Sequence, residues 1–143
     1  MEPRVSLVTL GVADLARAKA FYEQLGWHGQ EVEATVFVQA GAMALVLWSR
    51  DKLAADCGLE AGPPSGFGGI VLAHIVRARS EVDAIVAAAA AAGASVSRPP
   101  AETFYGGYAG VFTDPDGHPW EIAHNPGFAL AEDGALTIPR FAA

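Results

Sequence analysis

The feature that most constrains how this chain can fold is a pattern that occurs twice. Val5 to Val12 is apolar and β-rich, as a buried strand requires. Leu15, Ala18, Phe21, Tyr22 and Leu25 then recur at three- and four-residue spacing, which puts them on one face of a helix. Asp14 is placed to cap that helix and Gly26 to stop it. Two strands are expected next, Val36 to Ala40 and Ala44 to Ser49, around the turn Gly41-Ala42-Met43. The second copy starts at Gly69 with a strand to Val76. A helix follows with Val82, Ile85, Val86 and Ala89 on one face, Ser80 as its expected N-cap, Asp83 as a weak capping-box partner and Gly93 as its stop. Pro99-Pro100 is expected to break the chain. Tyr108 to Thr113 and Pro119 to His124 then form the last strand pair, around the turn Asp114-Pro115-Asp116-Gly117. Val76 lies 64 residues after Val12, and Gly93 lies 67 after Gly26 because the second helix is longer. A repeat at half the chain length means two similar modules, with room in each for one more short strand. Neither module can bury both faces of its own sheet, whereas two packed side by side, or across a dimer, can.

The remaining segments are simpler. Asp51 to Pro64 reads as a linker with a short helix near Leu53 to Asp56, and residues 127 to 143 as a tail with an extended stretch at Leu136 to Ile138. The length of 143 residues suits one globular domain, and 52% hydrophobic against 17% charged residues excludes a disordered chain. Sixteen acidic against nine basic residues give a net charge of −7, which argues against non-specific binding to nucleic acid or to an anionic membrane. Cys57 is the one cysteine, so neither an intrachain disulfide nor a cysteine-based zinc site can form, and nothing beside it would activate a nucleophile. The longest apolar run, Ala84 to Ala92, is nine residues, against the ~20 that a membrane span needs. The start of the chain, Met1-Glu2-Pro3-Arg4, has no apolar stretch of signal-peptide length. A soluble cytoplasmic protein is expected.

Two stretches carry a resemblance to a known family. Leu10-Gly11-Val12-Ala13-Asp14-Leu15, followed by Phe21-Tyr22 and Leu25-Gly26, resembles the opening of the vicinal oxygen chelate superfamily, the glyoxalase, bleomycin-resistance and dioxygenase group. Phe112-Thr113-Asp114-Pro115-Asp116-Gly117-His118-Pro119-Trp120-Glu121 resembles its closing motif. The resemblance runs over about residues 4 to 126. It implies an α+β fold of two βαβββ modules, at 4–62 and 66–126, whose curved mixed sheets form a half-barrel within a single glyoxalase-like domain spanning 1–143. It also implies a homodimer. Metal-dependent members of the group carry a ligand on the first strand of each module and another late in each module. In this chain those four positions are Leu7, at or near Val46, Val71 and Glu121, three of them aliphatic. No metal and no other cofactor is therefore expected.

The histidines do not replace the missing ligands. His118, Glu121 and His124 are three residues apart on an extended segment, so Glu121 points opposite to both histidines. His74 is out of phase with Val71 and is expected on the helix side as a packed, hydrogen-bonded residue, while His28 and His118 are expected to be exposed. Glu121 then stands alone on the cavity face, where burial without a cation would raise its pKa. Two readings stay open for it: a structural hydrogen bond, for instance to Thr9 or a tyrosine, or a polar anchor for a ligand. Trp48 shares the phase of Val46 and is expected to face the cavity with Thr9. Phe104, Tyr105 and Tyr108 flank Gly106-Gly107, read as a flexible hinge that closes a lid, with Tyr108 as a flat wall. Trp27 and Trp120 are assigned to packing.

The expected ligand-contacting residues are thus Thr9, Trp48, Phe104, Tyr105, Tyr108 and Glu121, with no catalytic residue assigned. The expected function is metal-independent binding of a small molecule, as in the bleomycin-resistance branch, with an apolar or planar ligand that the negative charge would let be cationic. The alternative is a lyase, isomerase or dioxygenase of the same superfamily, with or without a divalent metal.

Overall fold

The computed structural model describes residues 1–141, so the last two residues of the expected tail lie outside the described residues. The chain forms two compact units. Unit 1 takes Met1–Ile70 together with Pro115–His118; unit 2 takes Val71–Asp114 and the described chain from Pro119 onward. Unit 1 runs β1 (Leu7–Val12), α1 (Leu15–Gln24), β2 (Gln30–Val32), β3 (Thr35–Ala40), β4 (Met43–Ser49) and α2 (Arg50–Asp56). Unit 2 runs β5 (Leu72–Ile75), α3 (Arg79–Ala91), β6 (Ser95–Glu102), β7 (Tyr108–Thr113) and β8 (Pro119–His124). Each unit is therefore βαβββ, and each builds a four-stranded mixed sheet. The strand orders are β1-β4-β3-β2 and β5-β8-β7-β6, which correspond strand for strand. In each, the first strand pairs parallel with the last and the other pairings are antiparallel.

The two main helices also end alike. The N–H of Gly26 bonds to the carbonyl of Glu23 and that of Trp27 to Tyr22; the N–H of Gly93 bonds to Ala90 and that of Ala94 to Ala89. This is the Schellman arrangement, and it needs the left-handed φ of +89° and +113° that Gly26 and Gly93 supply. The helix starts differ. Asp14 caps α1 by accepting the N–H of Arg17, as its position implied. On α3 the expected cap at Ser80 is not formed: the cap position is Ala78, and the Glu81 carboxylate reaches back to accept the N–H of Arg77.

The room left for one more short strand in each half is taken by β2 and β6; β2, whose three residues are all exposed, lacks an apolar pattern. Two expectations are corrected. The linker opens directly with α2 from Arg50, capped by the Ser49 hydroxyl. Pro99-Pro100 does not break the chain but lies inside β6. That strand is at the sheet edge, and its ladder to β7 shifts register on both sides of Arg98, so two residues without an N–H are tolerated. The Leu136 region contributes only an isolated bridge, Leu130 to Leu136. Among the described residues no helix is long and apolar enough to cross a membrane.

Candidate functional site

In each unit one sheet face is covered by a helix, and cross-strand register determines which residues the other face carries. In unit 1 the α1 side holds Leu10, Val12, Val36, Val38, Leu45 and Leu47, all buried. The ion pair of Lys19 on α1 with Glu31 on β2, at 3.1 Å, lies on the same side. The opposite face follows from the pairs Thr9 with Val46, Gly11 with Trp48 and Phe37 with Val46. Leu7, Thr9, Phe37, Val46 and Trp48 therefore share one face, with Val46 buried, Thr9 and Trp48 half-buried and Leu7 and Phe37 exposed. Strand alternation thus brings together the two unit 1 residues singled out from sequence.

In unit 2 the α3 side holds Phe112, Trp120 and Ile122, packed against Val82, Val86 and Ala89 of the helix. The opposite face carries Ala73, Glu121 and Val111 in one cross-strand row, which continues to Arg98 on β6. The guanidinium of Arg98 reaches Glu121 at 3.3 Å, with the two side chains 53% and 34% exposed. The premise of a lone buried carboxylate is thereby corrected: Glu121 is half-buried and has a cation beside it. Sequence reading missed Arg98. Its only signal was a basic residue just before Pro99-Pro100, and the register shifts hid that it lies in the same row as Glu121.

Tyr108 does not join this face. It pairs with His124, out of phase with Glu121, and lies on the α3 side. Its hydroxyl donates to Asp83 at 2.7 Å, and the Arg79 guanidinium sits 5.5 Å from its ring centroid while also holding Glu102 through two contacts. The bond to Asp83 is the main reason the phenol pKa is raised, and the bond from Arg79 the main reason Glu102 titrates below the usual carboxylate range. As a wall facing the Glu121 side, Tyr108 was misplaced. The cause is the β7–β8 register, which puts Tyr108 opposite His124 on the α3 side, where Asp83 and Arg79 hold it.

Phe104 and Tyr105 form the tip of the β6–β7 hairpin, Phe104 fully exposed and the rings edge-to-face at 5.3 Å. The glycines beside them meet the demands of the turn. Gly106 takes φ +80°, and a Cβ on Gly107 would lie 2.4 Å from the Tyr105 ring and 2.6 Å from the carbonyl of His124. The loop base is closed by hydrogen bonds of Thr103 with Gly107 and of Gly106 with Thr103.

The histidines divide between expectation and correction. His28 is exposed, and His74 lies on the α3 side as its phase required. The expectation that His74 is packed is corrected: it is exposed, yet partial desolvation lowers its pKa, offset in part by Glu81. His118 was expected to be exposed but is half-buried, its Nε2 2.8 Å from the carbonyl of Gly11. Beside it the Asp116 carboxylate, 6% exposed, accepts the Ala13 N–H at 2.9 Å and pairs with Arg17 at 3.0 Å. These contacts belong to unit 1 and lock the junction of β1 and α1.

The divalent ion of chelating relatives does not fit these residues. Leu7, Val46 and Val71 have no donor atom, and among the described residues no group of three or more His, Cys, Asp or Glu could hold a metal. What the open faces offer is apolar contact in unit 1 and a paired positive and negative charge in unit 2.

Comparison with known proteins places this architecture. No curated protein matches. The chain is similar over 99% of its length, and 99% of the other's, to a glyoxalase-related enzyme from Fulvimarina pelagi, at 37% identity and a TM-score of 0.87. Its fold is also that of a glyoxalase/bleomycin resistance protein/dioxygenase family enzyme from Burkholderia phytofirmans, at 24% identity, 83% and 96% coverage of the two chains and a TM-score of 0.74. A lactoylglutathione lyase from Agrobacterium tumefaciens shares it too, at 22% identity, 87% and 95% coverage and a TM-score of 0.65. The model of the Glyoxalase/Bleomycin resistance protein/Dioxygenase superfamily matches residues 4–122, and the chain belongs to that superfamily.

Proposed function

We propose that this protein binds a small molecule without a metal, as members of the bleomycin-resistance branch do. The observation that carries the reading is the chemistry of the open faces. Leu7, exposed, and Val46, buried, lie on the unit 1 face away from α1, at positions where chelating relatives carry ligands, and both are aliphatic. That leaves Thr9 as a polar group beside Trp48 and Phe37, a surface suited to an apolar or planar ligand oriented by few hydrogen bonds. Phe104 and Tyr105 at the hairpin tip and Glu121 remain ligand-contact assignments in unit 2. A homodimer in the cytoplasm belongs to the same reading. Leu7, Val32, Phe37 and Val71 are exposed apolar residues, and β1, β2, β5 and β6 lie at sheet edges that a second chain could cover.

A second reading, a superfamily enzyme, is favoured by the 37% identical relative, which is described as a glyoxalase-related enzyme. One experiment separates the two. A library of planar small molecules is screened by thermal shift with and without a chelator, and each hit is incubated with the protein and analysed for product. Hits that persist with chelator and are recovered unchanged support binding. A hit that is converted supports the enzyme, and a shift lost with chelator overturns metal independence.

A further inference from the structure

The strongest unexplained feature outside the helix-covered cores is the way Arg98 is held. It lies on β6, at the edge of the unit 2 sheet, where a long cationic side chain would ordinarily extend into water. Instead its register partner is Val111 on β7, and its guanidinium reaches Glu121 one strand further, on β8. Adjacent strands are about 4.8 Å apart, so the side chain must cross the open face above Val111 to make that contact. The ladder shifts register immediately before and immediately after Arg98, and Pro99-Pro100 fills the second shift. Bulges of this kind re-aim a side chain, and here two of them isolate one residue.

The charges are arranged unequally. A guanidinium has five N–H donors in a fixed fork, and among the described residues Arg98 uses one, a single long bond to one Glu121 oxygen. Its side chain is half-exposed, so the other donors face solvent above the sheet. Glu121 is the more buried partner. The acid therefore orients the base, and the base presents the free hydrogen-bonding edge.

Resting on the ligand-binding reading above, we propose that Arg98 selects an anionic group on the ligand, a carboxylate or a phosphate-type oxyanion, with Glu121 as its positioning residue. A planar or apolar body would lie beside the pair, toward Ala73 on β5. This reverses the sign that Glu121 alone would give: a carboxylate anchor favours a cation, whereas a carboxylate already paired to Arg98 leaves the arginine to choose an anion.

Four matched probes test it: benzoate, phenyl phosphate, benzamide and benzylamine, titrated calorimetrically at low and raised salt. The wild type is expected to bind one or both anions at least tenfold more tightly than benzamide, with the preference shrinking as salt rises. Arg98→Met should abolish the preference and Arg98→Lys should keep part of it, because a point charge replaces the fork. Glu121→Gln keeps an acceptor that positions Arg98 but removes the competing charge, so it should strengthen anion binding severalfold at low salt relative to benzamide, a response that a merely structural role would not produce. The Arg98 Nε–H resonance should shift with benzoate and not with benzamide. Benzoate against phenyl phosphate identifies which oxyanion is preferred. Equal binding of anion and amide, a preference that survives Arg98→Met, benzylamine binding best and lost in Glu121→Gln, or no binding by any probe would each overturn the proposal. A chelator-resistant hit from the library screen would still uphold ligand binding in any of those cases, so the two failures are distinguishable. If Arg98→Met does not fold, as judged by circular dichroism, Arg98→Gln takes its place.

Discussion

The two units are built to one plan and filled in opposite ways. In unit 1 the large side chains are on the helix: Phe21 and Tyr22 of α1 are fully buried over Val36, Leu45 and Leu47 of the sheet. In unit 2 the helix is small-faced, with Val82, Val86 and Ala89, and the bulk comes from Phe112 and Trp120 on the strands. The layer is close-packed either way, because what the fold requires is filled volume, not a particular donor of it. The open faces differ in kind as well. Unit 1 carries Leu7, Thr9, Phe37 and Trp48 on that face beside a buried Val46, and unit 2 presents Arg98 paired with Glu121. Conformational stability resides on the helix sides, which leaves the opposite faces free to carry different chemistry in the two halves.

The largest effects should come from the inverted cores. Phe21→Ala and Phe112→Ala should each cost ~3–5 kcal/mol in urea unfolding, despite lying on a helix in one unit and a strand in the other. A small cost at either would break the equivalence of the two layers. The next effect belongs to unit 1. Asp116→Ala removes a nearly buried carboxylate from the Ala13 N–H and Arg17, and should cost ~1.5–3 kcal/mol by the same assay. By contrast Arg98→Met and Glu121→Gln break a part-exposed pair and should each change stability by less than ~1 kcal/mol. A larger loss would move that pair to the structural side of the comparison.

The smallest effect is a pH slope. His74 has its pKa lowered in the fold, so the native state disfavours its protonation. Its contribution is fully present above the unfolded value of about 6.5 and is lost as pH falls through the lower folded value. Unfolding free energy measured across that window should decline toward acid, and His74→Gln should flatten the decline. A slope unchanged in the variant would assign it to other groups.

What the sequence disclosed and what it hid divide along the same physical line. Helix faces, glycine stops and the Asp114 to Gly117 turn are local signals of period and φ, and they were legible to within a residue or two. β2 was not, since Gln30-Glu31-Val32 is exposed throughout and has no apolar alternation. Nor was β6, because a double proline argues against a strand unless the strand is known to be an edge. Thr9 and Trp48 were placed on one face because simple alternation holds through β1 and β4. Tyr108 was misplaced, and Arg98 overlooked, because their positions depend on register across bulged or long-range pairings, which single-sequence periodicity does not contain. The docking of Asp116 and His118 onto Ala13, Arg17 and Gly11 is likewise a contact about a hundred residues long in sequence.

The central claim, that the open faces bind their ligand without a metal, is tested most directly by elemental analysis of protein purified with no chelator at any step. The result expected is a transition-metal content far below one ion per chain, the same in wild type and in Glu121→Ala. About one ion per chain in the wild type, lost in Glu121→Ala, would contradict it and return this protein to the chelating enzymes of its superfamily.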